Sequence, residues 1–458
     1  MVRSEVGMNR IYRWWLVGGA LAMVVAVAVV AVLISLRNHN TASKTQPEHA
    51  EPALPAQLLL TSSMRQQPVP GWKLAAHDLG LPGGTVMKPF GNVGDRGYFV
   101  GVTGEGWWLV GIDVATGRRL FESIRLGPSN DALAFNCFVN GPSMAICLRQ
   151  DRDPNQPAMA WVVDTENGAL IFDGPTELRI SPPENQSELQ QIGDYVVSTV
   201  TDEGVHGVGP HAELTWFVPG SGHLTQSTEW LRDIAPQTLG IQNGSGSSTS
   251  SVIFSVADGR IVKPVVSQDQ RLGHAIVFPG GFGYEVHNGD DSADRVAFFD
   301  DAGKLLSHPD LVGTLRIGSL DLPMMETEST DIVVTIDGRQ LLQIPKSTLM
   351  PYARLIGSTL FVTTDERQRS WQQYDLRTGA SGKNCETEAL GFSCVASDGT
   401  VAIAVGRRTP AEAYDLATCD KLWSLPGSTQ GEAKDVWKVN TTLIQRTNDE
   451  LSSLVAPS

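Results

Sequence analysis

The sequence predicts an all-β protein: a β-propeller of seven or eight blades, with eight favoured, that follows one N-terminal transmembrane helix. Short Val- and aromatic-rich runs broken by Gly, Asp, Asn and Pro follow Gly71. They lack a sustained helical period, which indicates strands. A turn motif built on Asp and Gly recurs about every 40 to 55 residues, a period typical of propeller blades. The chain from Trp14 to Leu36 is apolar and uncharged.

That apolar segment is long enough to cross a hydrocarbon core of about 30 Å as a helix. Arg3, Arg10 and Arg13 precede it, so residues 1–13 are expected in the cytoplasm and the rest of the chain outside it. The alternative is a cleaved signal peptide. We favour the anchor, because the apolar run is long for a signal peptide and no clear cleavage site follows. The expected location is therefore the cell membrane, with a single pass and an extracytoplasmic propeller.

Residues 37–70 contain five prolines among polar residues. This composition is typical of a tether that holds a domain away from the membrane. The propeller is then expected to span residues 71–458.

Eight segments resemble the turn motif, and the clearest begin at Asp113, Asp164 and Asp415. The Asp carboxylate can accept hydrogen bonds from amides two or three residues further on. The Gly four positions later can adopt positive φ and close the hairpin. The residues assigned to these structural turns are Asp113, Gly117, Asp164, Gly168, Asp375, Gly379 and Asp415. The weaker copies lie around Pro219, Asp258, Asp300, Asp337 and Asp375.

The two ends of the propeller region predict how the ring closes. Residues 71–80 offer one strand without preceding partners, and residues 436–457 offer two or three strands without a following one. Pairing them would remove two exposed sheet edges. Eight copies and a closing blade would make nine. We expect one weak match to be spurious, either that at Pro219 or that at Asp258, and the expectation is then eight.

Five cysteines, in an extracytoplasmic domain, predict disulfides. Cys137 and Cys147 flank an Asn-Gly-Pro turn that can place them opposite each other. Cys385 and Cys394 enclose a short loop and are expected to pair. Cys419 is then the free thiol, although it could compete for either of those two.

The net charge of −15 argues against a nucleic-acid partner. Arg outnumbers Lys, and Ala, Gly and Val are abundant, as in proteins of GC-rich bacteria. His206, His211 and Glu213 have the order of a loose metal loop, but their spacing favours a Gly-rich connection between strands. The acidic cluster at Asp290, Asp291 and Asp294 is more typical of a solvated loop than of a calcium site. We therefore predict no catalytic, cofactor-binding or metal-binding residue.

The pattern D-x-A-T-G-x-x-L-[WF], as at residues 113–121, 164–172 and 415–423, resembles the repeat of the PQQ-like β-propellers. That resemblance implies the propeller fold and two functional branches. Quinoprotein dehydrogenases bind PQQ and calcium and carry an adjacent-cysteine disulfide, and this chain has no Cys-Cys pair. The other branch comprises non-enzymatic envelope scaffolds, which similarly have degenerate repeats.

The expected function is a non-catalytic scaffold for another envelope protein, with the funnel and the inter-blade loops as its binding surface. One alternative is a sensor of cell-wall saccharide or peptide. Its candidate stacking residues are Trp107, Trp108, Trp216, Trp230 and Trp371. The other alternative is a quinoprotein-like oxidoreductase.

Overall fold

The computed structural model describes residues 54–129, 132–153, 156–180, 188–225, 233–245, 250–288, 295–307, 311–316, 321–346, 352–391 and 393–458. The expected cytoplasmic N-terminus, the expected transmembrane helix from Trp14 to Leu36 and the beginning of the expected tether lie outside these residues. Within the described ranges, no helix is long and apolar enough to cross a membrane. Apart from one short 3₁₀ helix, Ala76–Leu79, the described elements are strands, which confirms the all-β class.

The described strands form nine antiparallel sheets, which we call blades 1 to 9. Strand β1 (Val69–Ala75) precedes blade 1 in the chain. Blade 1 contains β2 (Val86–Val93), β3 (Arg96–Val102), β4 (Trp107–Asp113), β5 (Arg118–Arg119) and β6 (Ile124–Gly127). Blade 2 contains β7 (Ala132–Val139), β8 (Met144–Asp151), β9 (Ala158–Asp164) and β10 (Ala169–Thr176). Blade 3 contains β11 (Glu188–Ile192), β12 (Tyr195–Val200), β13 (Gly204–Val208) and β14 (Leu214–Pro219).

Blade 4 contains β15 (Leu239–Asn243) and β16 (Ser251–Ser255). Blade 5 contains β17 (Gln270–Phe278), β18 (Gly281–Asn288), β19 (Arg295–Phe299) and β20 (Leu311–Val312). Blade 6 contains β21 (Thr314–Arg316), β22 (Met324–Glu326), β23 (Thr330–Val334) and β24 (Gln340–Pro345). Blade 7 contains β25 (Ala353–Ile356), β26 (Thr359–Thr363), β27 (Ser370–Asp375) and β28 (Ser381–Glu386). Blade 8 contains β29 (Cys394–Ser397), β30 (Val401–Ala404), β31 (Glu412–Asp415) and β32 (Lys421–Ser424). Blade 9 contains β33 (Lys434–Val439), β34 (Thr442–Thr447), β35 (Glu450–Val455) and β1.

The first strands of neighbouring blades contact each other, as β2 does with both β7 and β33. These strands therefore line the central channel, and the last strand of each blade lies at the outer rim. Each sheet is apolar on both faces because a neighbouring blade covers each one. Between blades 9 and 1, for example, Ile444 and Leu451 pack in one buried cluster with Phe99 and Val110.

Nine sheets in the described residues are one more than the eight blades favoured from the sequence. Asp258 lies in a genuine turn, because Gly259 donates to the Ser255 carbonyl and a bridge joins Phe254 to Ile261. Pro219 ends the outer strand of blade 3 and is not in its last turn. That turn spans residues 209–213 and has no Asp at its start, so its blade carried no usable motif.

The ring closes where the sequence predicts. Strand β1 pairs with β35, with Leu74 opposite Leu451. The N-terminal strand is thus the outer strand of the last blade, and it covers an edge that would otherwise be exposed.

The Asp-Gly turns have the geometry expected of them. Asp113 accepts a hydrogen bond from the Thr116 amide at 3.1 Å, and Asp415 accepts from Ala417 and Thr418 at 2.8 and 3.0 Å. Gly117 has φ +75°. Trp72, on outer strand β1 of blade 9, covers Gly117. A Cβ at Gly117 would lie 2.6 Å from the Trp72 ring. The same assigned roles are filled by Asp164, Gly168, Asp375 and Gly379.

The structure contains two disulfides among the described cysteines, Cys137–Cys147 and Cys385–Cys419. The first is the expected pair. The second corrects the expectation that Cys385 bonds to Cys394 and leaves Cys419 free. Cys385 lies on outer strand β28 and Cys394 on inner strand β29, so the short loop between them crosses the whole blade width. Cys419, at φ +66°, occupies the Gly position of its turn and bonds to the preceding blade.

Part of the expected tether is packed against the propeller. Residues 54–65, which we call the strap, run across the face that carries the Asp-Gly turns. The Leu60 amide donates to the Ser397 carbonyl at 2.7 Å, and the fully buried Met64 accepts from the Trp423 indole at 2.8 Å. Arg65 pairs with Asp415 at 2.6 Å. From residue 54 onward, the predicted tether thus belongs to the folded domain.

Candidate functional site

Three charged side chains from distant blades meet in the central channel. Asp233 lies just before blade 4, Arg354 lies on inner strand β25 and Lys438 lies on inner strand β33. One carboxylate oxygen of Asp233 accepts from Lys438 Nζ at 2.6 Å, and the other accepts from Arg354 at 2.5 Å. We call these three residues the channel clamp. Because blades 4 and 9 stand on opposite sides of a nine-membered ring, the clamp spans the channel.

The clamp is almost dry. The side chains of Asp233 and Lys438 are 5% and 1% exposed, and that of Arg354 is 15% exposed. Burial alone would raise the pKa of Asp233, but Arg354 and Lys438 outweigh it and hold that pKa below its usual range. Burial lowers the pKa of Lys438, while Asp233 opposes that effect. The carboxylate is thus held ionised between two cations.

A second carboxyl, Asp321 of blade 6, accepts from the backbone amide of Leu355 at 3.0 Å, next to Arg354 in the chain. Burial raises the pKa of Asp321 to about 6, although that hydrogen bond and Arg354 act against the shift. The carboxyl therefore titrates in the mildly acidic range and not near pH 4.

The thiol of Cys394 faces the same region from inner strand β29. Burial raises the pKa of Cys394, and Arg354 only partly counteracts this. The thiol consequently stays protonated at neutral pH and is a poor nucleophile.

The strap lies directly on the clamp. The Leu58 amide donates to the backbone carbonyl of Asp233 at 2.6 Å, and Gln57 forms a bridge with Ile234. The Gln57 side chain also exchanges two hydrogen bonds of 2.9 Å with the backbone of Gly357 in blade 7. The strap thus joins the segment before blade 4 to the turn that follows β25 in blade 7.

This arrangement suits mechanical fixation better than acid–base chemistry. Both oxygens of Asp233 are engaged by cations, so the carboxylate is a weak base. A buried pair of this kind is costly to break and fixes the relative positions of the elements that supply it. The clamp and the strap therefore make the ring a rigid frame.

The residues weighed as a loose metal loop do not converge. His206 lies on β13 and stacks on Phe217 with ring centroids 4.6 Å apart. His211 lies in the following turn, with its amide donating to Glu213 at 2.6 Å. In the described part of the chain, no group of three His, Cys, Asp or Glu residues could hold a metal ion. The acidic residues 290, 291 and 294 lie outside that part.

The candidate stacking tryptophans are mostly used in packing. Trp107 stacks on Phe135 at 4.2 Å, and Trp371 is 2% exposed. Trp216 covers Gly259 of the next blade, Trp108 is half-buried and Trp230 lies outside the described residues.

Sequence reasoning missed the channel clamp. Its members are separated by more than 80 residues and share no motif. The available signal was a single charge inside an apolar run, as in "ARLI" around Arg354 and "VWKV" around Lys438.

Comparisons with known proteins agree with this architecture. A model of the family described as a conjugation-associated 9-bladed β-propeller domain matches residues 44–457. A relative described as an uncharacterized protein of Mycolicibacterium smegmatis (strain MKD8) is 34% identical over 474 residues, covering 97% of each chain. The nine blades of the family description equal the number of sheets in the described residues.

Two solved structures are similar at low identity. The computationally designed Ika8 protein is 13% identical with a TM-score of 0.35, over 68% of this chain and 93% of that one. BamB from Moraxella catarrhalis is 9% identical with a TM-score of 0.30, over 85% of this chain and 98% of that one. The propeller part of the resemblance drawn from the turn motif is confirmed by the family match. The assignment to a non-enzymatic, membrane-anchored branch stays a prediction.

Proposed function

We propose, because the chain belongs to the family of conjugation-associated nine-bladed β-propeller domains, that it is a scaffold protein of a conjugative apparatus. In this role the ring holds another envelope protein through its outer surfaces and catalyses no reaction. A β-propeller is well suited to protein interaction, because a rigid frame positions many loops and strand edges.

One observation carries the proposal: a buried ion-pair cluster and the strap occupy part of the central channel. Asp233, Arg354 and Lys438 meet there and the strap lies over them. A ligand in that position would have to displace buried ion pairs, which is costly. The outer surfaces are therefore the better candidates for binding.

We also propose that the propeller is anchored in the cell membrane by the segment from Trp14 to Leu36 and lies outside the cytoplasm. The apolar length of the segment supports the anchor. The disulfides Cys137–Cys147 and Cys385–Cys419 support the location, since disulfides persist in oxidising compartments. The proposed location is tested with a Leu422→Cys variant. Intact cells that express it are treated with a membrane-impermeant alkylating reagent, and labelling of the new cysteine is measured. Labelling only after lysis would overturn the proposed location.

The scaffold role is tested by deleting the gene from a donor strain and measuring the frequency of conjugative DNA transfer. We expect transfer to fall and to be restored by the wild-type chain. A Cys394→Ser chain should restore it equally, because the proposed role uses no thiol chemistry. Unchanged transfer in the deletion strain would overturn the proposed function. Failure of only the Cys394→Ser chain, expressed at normal level, would point to chemistry in the channel.

A further inference from the structure

The outer edge of blade 2 is unusually long and apolar. Strand β10 has eight residues, whereas the outer edge of blade 1 is divided into β5 and β6, of two and four residues, and the outer strand of blade 5 has two. Leu170 and Ile171 on β10 are 43% and 42% exposed. A bulge between Leu170 and Phe172 turns both of these side chains to the surface. In the described residues β10 pairs only with β9, so its other edge carries free backbone groups.

The apolar surface continues onto blade 3. Leu214 and Phe217 on outer strand β14 are 39% and 45% exposed. The two blades touch at this rim, where Phe172 meets the His211 ring edge-on at 6.0 Å. We call the surface formed by Leu170, Ile171, Leu214 and Phe217 the apolar rim.

The outer strands of blades 1 and 7 differ in chemistry. The outer strand of blade 7 reads "SGKNCE", with Lys383 and Asn384 exposed. The outer edge of blade 1 begins with Arg118 and Arg119 and continues in β6, where Arg125 is exposed. Charged and polar edges of this kind discourage unwanted strand pairing. On β10 and β14 the apolar side chains Leu170, Ile171, Leu214 and Phe217 are exposed instead, although β10 also carries Asp173, Pro175 and the bulge. Exposed apolar side chains that are gathered on one surface and rimmed by charged residues are typical of an interaction site.

The negative charge around the apolar rim restricts which partner segments can bind there. From residue 158 to residue 225 the sequence has one basic residue other than His, Arg179. The same stretch has ten acidic residues: Asp164, Glu166, Asp173, Glu177, Glu184, Glu188, Asp194, Asp202, Glu203 and Glu213. Glu166, Asp173 and Glu213 are exposed on or beside the two outer strands. The surface is thus apolar along its strands and negatively charged around them, and it repels a second copy of this acidic chain.

We propose that the apolar rim binds an extended segment of a partner protein in which basic and apolar residues alternate. The segment adds a strand to the free edge of β10. Main-chain hydrogen bonds supply affinity, and the side chains of the rim supply specificity. Alternate apolar residues of the segment cover Leu170 and Ile171, and its Lys or Arg residues face the surrounding carboxylates. This inference deepens the proposed scaffold function and rests on it.

The test uses the disulfide-bonded propeller and a short synthetic peptide that alternates Lys with Val and Ile. We expect saturable binding by isothermal titration that weakens as salt is raised. The same peptide with Glu in place of Lys, and the Lys peptide with N-methylated backbone amides, should bind at least about tenfold more weakly. Equal binding of either control peptide would overturn the charge or the strand-addition part of the proposal.

Two matched variants locate the site. Leu170→Lys removes an apolar contact and adds a repelling charge, so it should weaken binding of the Lys peptide by about tenfold or more. Leu422→Lys makes the same change on outer strand β32 of blade 8, where Leu422 is 36% exposed. It should leave binding within about twofold. Equal affinity of both variants would overturn the proposal, as would dimers of the wild type that Leu170→Lys dissolves in sedimentation.

The assay of conjugative DNA transfer distinguishes failure of the apolar-rim proposal from failure of the proposed scaffold function. If deletion reduces DNA transfer and the Leu170→Lys chain restores it fully, the apolar rim is not the scaffold's binding surface and the scaffold function stands. If deletion leaves transfer unchanged, the scaffold function itself fails, whatever the peptide binds.

Discussion

Blades 7 to 9 and blades 2 and 3 belong to one ring but are held in different ways. In the first arc, the strap, the channel clamp and the Cys385–Cys419 disulfide join residues that are far apart in the chain. In the second arc, the disulfide Cys137–Cys147 lies within one blade, and the outer strands remain uncovered among the described residues. Long-range cross-links therefore gather where β1 meets β35, whereas the arc of blades 2 and 3 carries the surface that we propose for binding.

The largest effect on stability is expected from a substitution in the channel clamp. Asp233→Asn leaves Arg354 and Lys438 buried without their counter-charge. We expect the free energy of unfolding to fall by about 3 to 5 kcal/mol, as measured by urea denaturation. Asp202→Asn, the same change in an exposed turn of blade 3, should cost less than about 0.5 kcal/mol. Similar losses in both variants would show that the clamp does not stabilise the ring.

The strap provides the next largest effect. Met64 is completely buried between blades 8 and 9, so Met64→Ala should lower the free energy of unfolding by about 2 to 5 kcal/mol. Leu170→Ala, on the exposed edge of the other arc, should change it by less than about 0.5 kcal/mol. A Met64→Ala protein as stable as the wild type would mean that the strap only rests on the surface.

The carboxyl of Asp321, which joins blade 6 to Leu355 of blade 7, makes the stability of the propeller depend on pH. Its folded pKa of about 6 lies above the ordinary value of 3.8, because burial favours the neutral form. The folded state therefore holds its proton more tightly, and this contribution is fully present below about pH 4 and is lost as pH rises through 6. It amounts to about 3 kcal/mol for a shift of this size.

Asp321→Asn keeps an acceptor for the Leu355 amide and removes the titration. We expect the difference in unfolding free energy between this variant and the wild type to grow in the variant's favour from pH 4 to pH 7. Carboxylates with lowered pKa values, such as Asp415, act in both proteins and cancel in the difference. A difference that does not change with pH would contradict the assigned shift.

The smallest effect concerns the turn that carries Cys419. In a Cys385→Ser background the disulfide is absent, and Cys419→Gly and Cys419→Ala then differ only in the backbone at φ +66°. Gly adopts that conformation freely, so the Gly protein should be more stable by about 1 kcal/mol. Equal stability would mean that the turn rearranges once the bond is lost.

Local features were the predictable part of this fold. The Asp-Gly turns and the pairing of β1 with β35 follow from a few neighbouring residues and from the unpartnered strands at the two ends. The blade count was less accessible, because the turn of blade 3 at residues 209–213 lacks the Asp. Genuine Asp-Gly turns plus the closing blade therefore give eight, one fewer than the nine sheets of the described residues.

The remaining features depend on which strand of a blade a residue occupies. Cys385 and Cys394 are close in sequence but lie on the outer and inner strands of successive blades, so proximity along the chain gave the wrong pair. Asp233, Arg354 and Lys438 come together only after the ring closes. Such contacts could be anticipated only with the order of the blades already known.

The pairing of β1 with β35 also determines when the ring can close during synthesis of the chain. The ribosome makes β1 before the strands of blades 1 to 8, but its partner β35 is made after them. Strand β1 must therefore remain unpaired until β35 has been synthesised. A chain that stops before β35 leaves the edges of β1 and β34 unpaired, so it is more exposed to proteases than the closed ring.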